Sequence, residues 1–402
     1  MKVTWASNAP WAPTGYGTQT NQVVKRMVRD GHSVVVASNH GLDGRPLRDN
    51  ETGAMVFPKG ADVYGNDVVI PIHHLHCGTD PGWLITLYDV WVYKNPDLDA
   101  ERVASWVPID HYPVPPEVLN WCRKHPSIAM SQFGARALKE AGVERAAYAP
   151  HAIELDVWKP TELLPNGQTA RAAWDIPDDA FLVMINAANK GNVPPRKSWG
   201  EMLSAMAIFM RKHEDAYLYM HTEVRGVFGG VDLLFLAGTL GLPPERIRIP
   251  DQFANLSGLI PQEALAAYYT TADVFLATSM GEGFGIPVVE AQACGTPVIV
   301  TDFSAQPELV GAGWTVPFQP WWDFTQGSWL ALPNVTAIVK SLDEAYDAKG
   351  DATLREKALA KAAEYDADLV YDTHWKPILA DLEDQLTPPT RQQRRSKRRK
   401  AA

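Results

Sequence analysis

Residues 273–302 read DVFLATSMGEGFGIPVVEAQACGTPVIVTD and set out one complete unit of an α/β sheet. The apolar run 273–278 has the length and β-branched content of a buried strand. A turn follows at Ser279-Met280-Gly281-Glu282-Gly283. Residues 284–293 then read as a helix with Pro287 in its first turn, where a missing N–H costs little. Gly295 ends the helix, and 296–300 is the next buried strand. A loop of this kind gathers backbone N–H groups and the positive end of a helix dipole at one spot, which suits a phosphate. Glu282 stands before the helix and Glu290 roughly two turns into it.

The words on either side sharpen this reading. Glu282-Gly283-Phe284-Gly285-Ile286-Pro287-Val288-Val289-Glu290 resembles the Glu-x7-Glu signature of retaining glycosyltransferases with two Rossmann-like domains, above all family 4, the glycosyl transferases group 1. Ala272-Asp273 upstream and Ala293-Cys294-Gly295-Thr296-Pro297-Val298 downstream resemble the same pattern. A bare Glu-x7-Glu would carry little weight. Its setting between two buried strands, with Gly-Phe-Gly and Gly-Thr-Pro-Val, makes it specific. The resemblance covers most of residues 1–385 and is densest over 181–310.

It implies an α/β protein of the GT-B fold, with two Rossmann-like domains facing across a cleft and a C-terminal helix that crosses back to the first domain. The expected divisions are an acceptor-side domain over 1–155, a nucleotide-sugar-binding domain over 156–365, a returning helix over 366–386 and a tail over 387–402.

At 402 residues with 46% hydrophobic composition, the chain can bury two cores. Its longest apolar stretches are strand-length, so no transmembrane helix is expected, and the opening Met1-Lys2-Val3-Thr4-Trp5 lacks the apolar core of a signal peptide. Cys77, Cys122 and Cys294 are far apart without metal-ligand spacing, and read as reduced thiols of a cytoplasmic protein. The net charge of −10 hides an asymmetry, because RQQRRSKRRK at 391–400 holds seven basic residues and no acid. That tail is expected to be disordered and either simply solvated or a tether to an anionic macromolecule.

Further strands are expected at 3–7, 33–38, 68–72, 83–88, 103–109, 128–131, 181–187, 217–221, 247–249 and 311–317, with helices over 199–212, 335–349 and 354–364. Ligands of such sheets bind beyond the carboxyl ends of the strands. Asp89, Asp110, His111 and Ser131 stand at such ends, as do the groups His221-Thr222-Glu223 and Asp251-Gln252-Phe253. Gly15 and Gly17 form a glycine turn into the first helix. His73, His74 and His76 form a loop cluster without ligand spacing, so no metal site is assigned. Asp97-Leu98-Asp99 has the composition of a helix start. Trp321-Trp322 is read as an aromatic cap on the core, with a stacking surface as the alternative.

The resemblance assigns roles residue by residue. His111 matches a histidine that faces the donor sugar. Lys197 matches the lysine that holds the donor diphosphate, and either Arg196 or Lys190 takes the accompanying basic position. Glu282 would hold sugar hydroxyls, Glu290 the ribose hydroxyls, and the backbone of Gly283, Phe284 and Gly285 the leaving phosphate, with Gly15 and Gly17 near the donor phosphates. The expected activity is retaining transfer of a hexose from a UDP- or GDP-sugar to an acceptor hydroxyl, without metal or separate cofactor. The alternatives are a nucleotide-sugar epimerase, a phosphorylase, or an inactive binding module that works through the basic tail. The acceptor stays open among carbohydrate, protein and modified nucleic acid.

Overall fold

The structure is a computed structural model that describes residues 1–191 and 194–386. The chain divides into two units, Met1–Trp106 with Lys124–Ser127 and the segment from Tyr371 on, and Val107–Arg123 with Ile128–Val370. The basic tail and the expectations attached to it lie outside the described residues.

In the first unit the strands β1 (Lys2–Ser7), β2 (Ser33–Ser38), β3 (Leu47–Arg48), β4 (Met55–Phe57), β5 (Gly82–Leu87) and β6 (Val103–Val107) lie in the order β3-β4-β2-β1-β5-β6. All neighbours are parallel except β3 with β4. β5 is buried throughout and reads as a near-continuous apolar run, and β1 is buried from Val3 to Ser7, the mark of a parallel sheet covered on both faces. The helix Gly15–Arg29 follows β1, and Thr14 caps it by accepting from Gly17 N at 3.0 Å. Gly17 is required by space, since a Cβ there would collide with Ala12 O.

Residues 68–72, expected as a strand, instead open the helix Val69–Cys77. An apolar run this short does not distinguish the two. Burial of Val69, Ile70, Ile72, His73 and Cys77 follows the helical period. The C-terminal stretch is also not one helix. It runs as Ala367–Val370, a π-turn over Tyr371–Trp375 and the helix Lys376–Leu386. The last two pieces complete the first unit. Trp375 packs tilted against Trp5 and edge-on against Trp106, with ring centroids 5.7 and 4.8 Å away, and Trp83 Nε1 donates to Leu382 O at 2.8 Å.

In the second unit β7 (Ser127–Ala129) and β8 (Ala147–Tyr148) pair in parallel. A six-stranded parallel sheet follows from β9 (Phe181–Asn186), β10 (Ala216–His221), β11 (Ile247–Arg248), β12 (Val274–Ala277), β13 (Val298–Thr301) and β14 (Gly313–Val316), in the order β11-β10-β9-β12-β13-β14. The helix Trp199–Lys212 buries Met202, Leu203, Met206 and Phe209 in the core beside β9 and β10, the face its periodicity marks. Strand order reverses between β9 and β12, which is where open α/β sheets take their ligands.

An unexpected element follows the sheet, the antiparallel hairpin β15 (Phe318–Asp323) and β16 (Ser328–Pro333). Trp321 and Trp322 belong to this hairpin and are half-buried, and Trp322 meets Trp329 edge-on at 4.9 Å. The hairpin also explains why residues 107–123, read from sequence as first-domain residues, group with the second unit. Tyr112 N donates to Trp329 O at 3.1 Å, and Ser328 Oγ bonds to Pro113 O. Residues 128–155 group there too, where Ile153 N donates to Tyr365 O at 2.9 Å. Among the described residues no helix is long and apolar enough to cross a membrane.

Candidate active site

The loops after β9 and β12 meet at the switch point. Arg196 O accepts from Met280 N at 2.8 Å, so the two loops are joined backbone to backbone. Each leads into a helix that starts on a left-handed residue with no side-chain cap, Ser198 (φ 52°) before Trp199–Lys212 and Gly285 (φ 115°) before Ile286–Ala293. The Gly15–Gly17 turn differs, because Thr14 already occupies the Gly17 amide. An uncapped helix start leaves backbone donors and the positive dipole end for something else.

Side chains complete the arrangement. Arg196 Nη1 lies 3.1 Å from Glu282 Oε2, and Lys197 Nζ pairs with Glu282 Oε1. Arg196 Nη1 also bonds to Gly281 O and stands 3.7 Å from Asp110 Oδ2. Burial alone would raise the Glu282 pKa, but the Lys197 and Arg196 cations outweigh it and hold the carboxyl at about 2. Burial lowers the Lys197 pKa, and Glu282 opposes that fall. Asp110 is likewise held at about 2, burial being overcome by His111 and Arg196. Lys190 is exposed and pairs through its backbone with Phe228 and Gly229, so Arg196 is the basic residue that joins Lys197 on Glu282.

Two glycines let these parts converge. A Cβ on Gly281 would collide with Asp110 O, and one on Gly283 with Pro108. Glu282 N donates to Ser304 Oγ at 2.9 Å, which fixes the loop from its far side. Phe284 turns its ring inward against His151 and Tyr365, at 5.2 and 5.4 Å, so this residue offers the loop only its backbone.

Glu290 sits in another setting on the same helix. Its carboxyl is buried, with Tyr269 OH donating to Oε2 at 3.1 Å and Asn186 Nδ2 donating in turn to Tyr269 OH at 2.7 Å. Burial pushes its pKa up to about 7, the Tyr269 bond only moderating the rise.

His111 lies between two carboxylates, Asp110 Oδ1 at 2.6 Å from Nδ1 and Asp323 Oδ2 at 3.2 Å from Nε2. Asp323 went unnoticed in the sequence, and so did Tyr269. The turn signals around Gly327, which has φ 61°, were the available clue to the hairpin that carries Asp323.

Other marked residues have local employment. Glu223 accepts from the amides of Arg225, Gly226 (2.8 Å) and Val227 (3.0 Å), filling its own loop. Asp251 caps the helix Gln252–Leu256, and Ser131 caps Gln132–Glu140. Asn95 caps the 3-10 turn Pro96–Ala100, which contains Asp97 and Asp99. His73 bonds to Thr4, His74 to Glu101 and His76 to Ser33 O. Among the described residues no group of three or more His, Cys, Asp or Glu is placed to hold a metal ion.

Residues 253–364 match the family model described as Glycosyl transferases group 1. The O-antigen chain mannosyltransferase B of Escherichia coli is 30% identical over 152 residues, 38% of this chain and 35% of that protein. The chain spans between 33% and 40% of the length of the curated relatives it matches. Among solved structures, sucrose-phosphate synthase from Thermosynechococcus elongatus superposes with a TM-score of 0.71 at 16% identity, covering 96% of this chain and 98% of that one. The Anabaena protein HepE in complex with UDP-glucose gives 0.68 at 16% identity, covering 94% and 100%. The chain has the GT-B fold of these proteins.

Proposed function

We propose that this chain is a retaining glycosyltransferase that moves a hexose from a nucleoside diphosphate sugar, a UDP- or GDP-sugar, to an acceptor hydroxyl without a metal. The observation that carries the proposal is the junction of Arg196, Lys197 and Glu282 with two uncapped helix starts at the switch point. Two cations and two sets of backbone donors suit a diphosphate. HepE is solved with UDP-glucose, in keeping with a donor of that class.

Without donor, Arg196 and Lys197 are spent on Glu282. An entering diphosphate takes over part of their charge, which frees Glu282 to accept from sugar hydroxyls and orient the anomeric carbon. The bond from that carbon to the β-phosphate oxygen breaks as the acceptor oxygen bonds on the same face, and the departing phosphate takes the acceptor proton. Lys197, Arg196 and the Gly283–Gly285 backbone stabilise the charge that grows on the leaving oxygen, which is commonly the largest rate term. Glu290 accepts from the ribose hydroxyls, as an acidic residue does in dinucleotide sites.

The test is a panel of UDP- and GDP-hexoses offered with and without simple sugar acceptors, reading nucleoside diphosphate release and the anomeric configuration of the product. Release with retained configuration supports the proposal. Inversion overturns the retaining mechanism. Release that requires inorganic phosphate turns the reading to a phosphorylase.

A further inference from the structure

We infer that Asp323 is a positioning residue for His111: the hairpin β15–β16 brings its carboxylate to Nε2, and with Asp110 on Nδ1 it keeps the imidazole doubly protonated, a fixed cation of the site. The partners are 212 positions apart in the chain, so only the fold joins them. His111 and Asp323 are 4% and 6% exposed, leaving almost no water to substitute for either bond.

The argument is one of donors and acceptors. An ionised carboxylate only accepts, so each ring nitrogen facing one must carry a proton. Neutral imidazole has a single N–H and would turn a lone pair on one of the two acids. Imidazolium has both.

The neighbourhood favours the same state. Asp323, His111, Asp110, Arg196, Glu282 and Lys197 follow one another through contacts of 3.2, 2.6, 3.7 and 3.1 Å and the Glu282–Lys197 pair, alternating in sign along the whole run when His111 is charged. With a neutral His111, two carboxylates would face each other across an uncharged ring. The groups facing the ring are Asp110 from its own segment and Asp323 from the hairpin, with Arg196 beyond Asp110.

Asp323 is itself held still. Its Oδ1 accepts from Thr325 N at 2.8 Å and Gln326 N at 3.4 Å in the hairpin turn, while Oδ2 takes His111. One consequence follows for the chemistry. With both nitrogens engaged, His111 has no lone pair with which to act as a general base. In the sugar transfer proposed above, on which this consequence rests, it contributes placed positive charge.

The test labels only histidine with 15N and identifies the His111 ring signals by their loss in His111→Gln. In the wild-type protein both His111 nitrogens should be protonated at pH 7, and this arm needs no variant of Asp323. In Asp323→Asn the amide oxygen can still hold the turn, so the fold stays, but the charge is gone. The His111 midpoint should fall by about 1–2 pH units. In parallel, kcat should track the imidazolium fraction, so that the variant-to-wild-type ratio drops about tenfold from pH 6 to pH 8. A singly protonated His111 ring in the wild type at pH 7, or an unmoved midpoint in the variant, overturns the inference. A kcat ratio independent of pH overturns the positioning role. Should the ring signals behave as expected while the wild type turns over no nucleotide sugar, the charged state stands and the transfer reading fails.

Discussion

Glu282 and Glu290 share one loop and helix and are both held away from water, yet the protein treats them in opposite ways. Glu282 meets two cations and is held at about 2, whereas Glu290 meets one phenol and is pushed up to about 7. Spacing along the helix accounts for neither value. What differs is the partner supplied from elsewhere, the β9 loop for Glu282 and Tyr269 for Glu290. One acid is an anion at neutral pH, paired with two cations. The other is pushed toward its neutral form by burial, so its charge responds to pH near neutrality.

Removing a cation breaks this contrast most severely. Lys197→Met should lower kcat by about 10²–10³-fold, the cost of losing one preorganised charge at a developing oxyanion. Steady-state rates with a fixed acceptor check it, and a loss confined to the donor KM would instead make Lys197 a binding group.

Glu290→Gln should separate binding from stability. Donor affinity should weaken by about 1.5–3 kcal/mol in calorimetry, the loss of hydrogen bonds to a charged group. The unliganded variant should nevertheless be more stable at pH 8. Because the folded pKa is raised, stability is whole below the unfolded value of about 4.3 and is lost as pH rises through about 7. The gain on substitution should reach up to about 3 kcal/mol at pH 8 and vanish near pH 4, read from denaturant unfolding. Wild-type donor affinity should rise from pH 6 to pH 8 as the carboxylate forms.

Glu282→Gln should show the reverse sign. A depressed folded pKa gives stability that is present above about 4.3 and lost as pH falls toward about 2. The variant should be less stable at pH 7 by about 1–3 kcal/mol, less than the Glu282 shift alone would suggest because burial works against the Lys197 ammonium. At pH 2 the two proteins should unfold alike. The smallest effect sharpens the comparison from outside: EDTA should leave turnover unchanged, since Arg196 and Lys197 carry the charge. Loss restored by magnesium or manganese would end that assignment.

The parallel strands and the β12 loop were legible because each is a local pattern, an apolar run or a glycine turn, and the Lys197–Glu282 pairing joins two such patterns. What escaped depended on partners far along the chain. Residues 68–72 read equally well as a strand until neighbouring elements decide. The β15–β16 hairpin hid behind tryptophans that look like core, and with it went Asp323. The loop path that sets Arg196 rather than Lys190 beside Glu282 could not be read from spacing; it rests on the Met280–Arg196 backbone bond.

The tryptophan trio of the first unit has a consequence in time. Trp5 and Trp106 are made early, and Trp375, which closes their cluster, leaves the ribosome last. At ribosomal speeds of about 5–20 residues per second, the first unit waits roughly 10–50 s for its final piece. Meanwhile the second unit, whose segments end at Val370, can finish ahead of it. The nascent chain would then carry a completed back half beside an unsealed front, an opening for chaperones. Stalled at residue 370, it should be cut by protease within its first hundred residues and spared through 181–310.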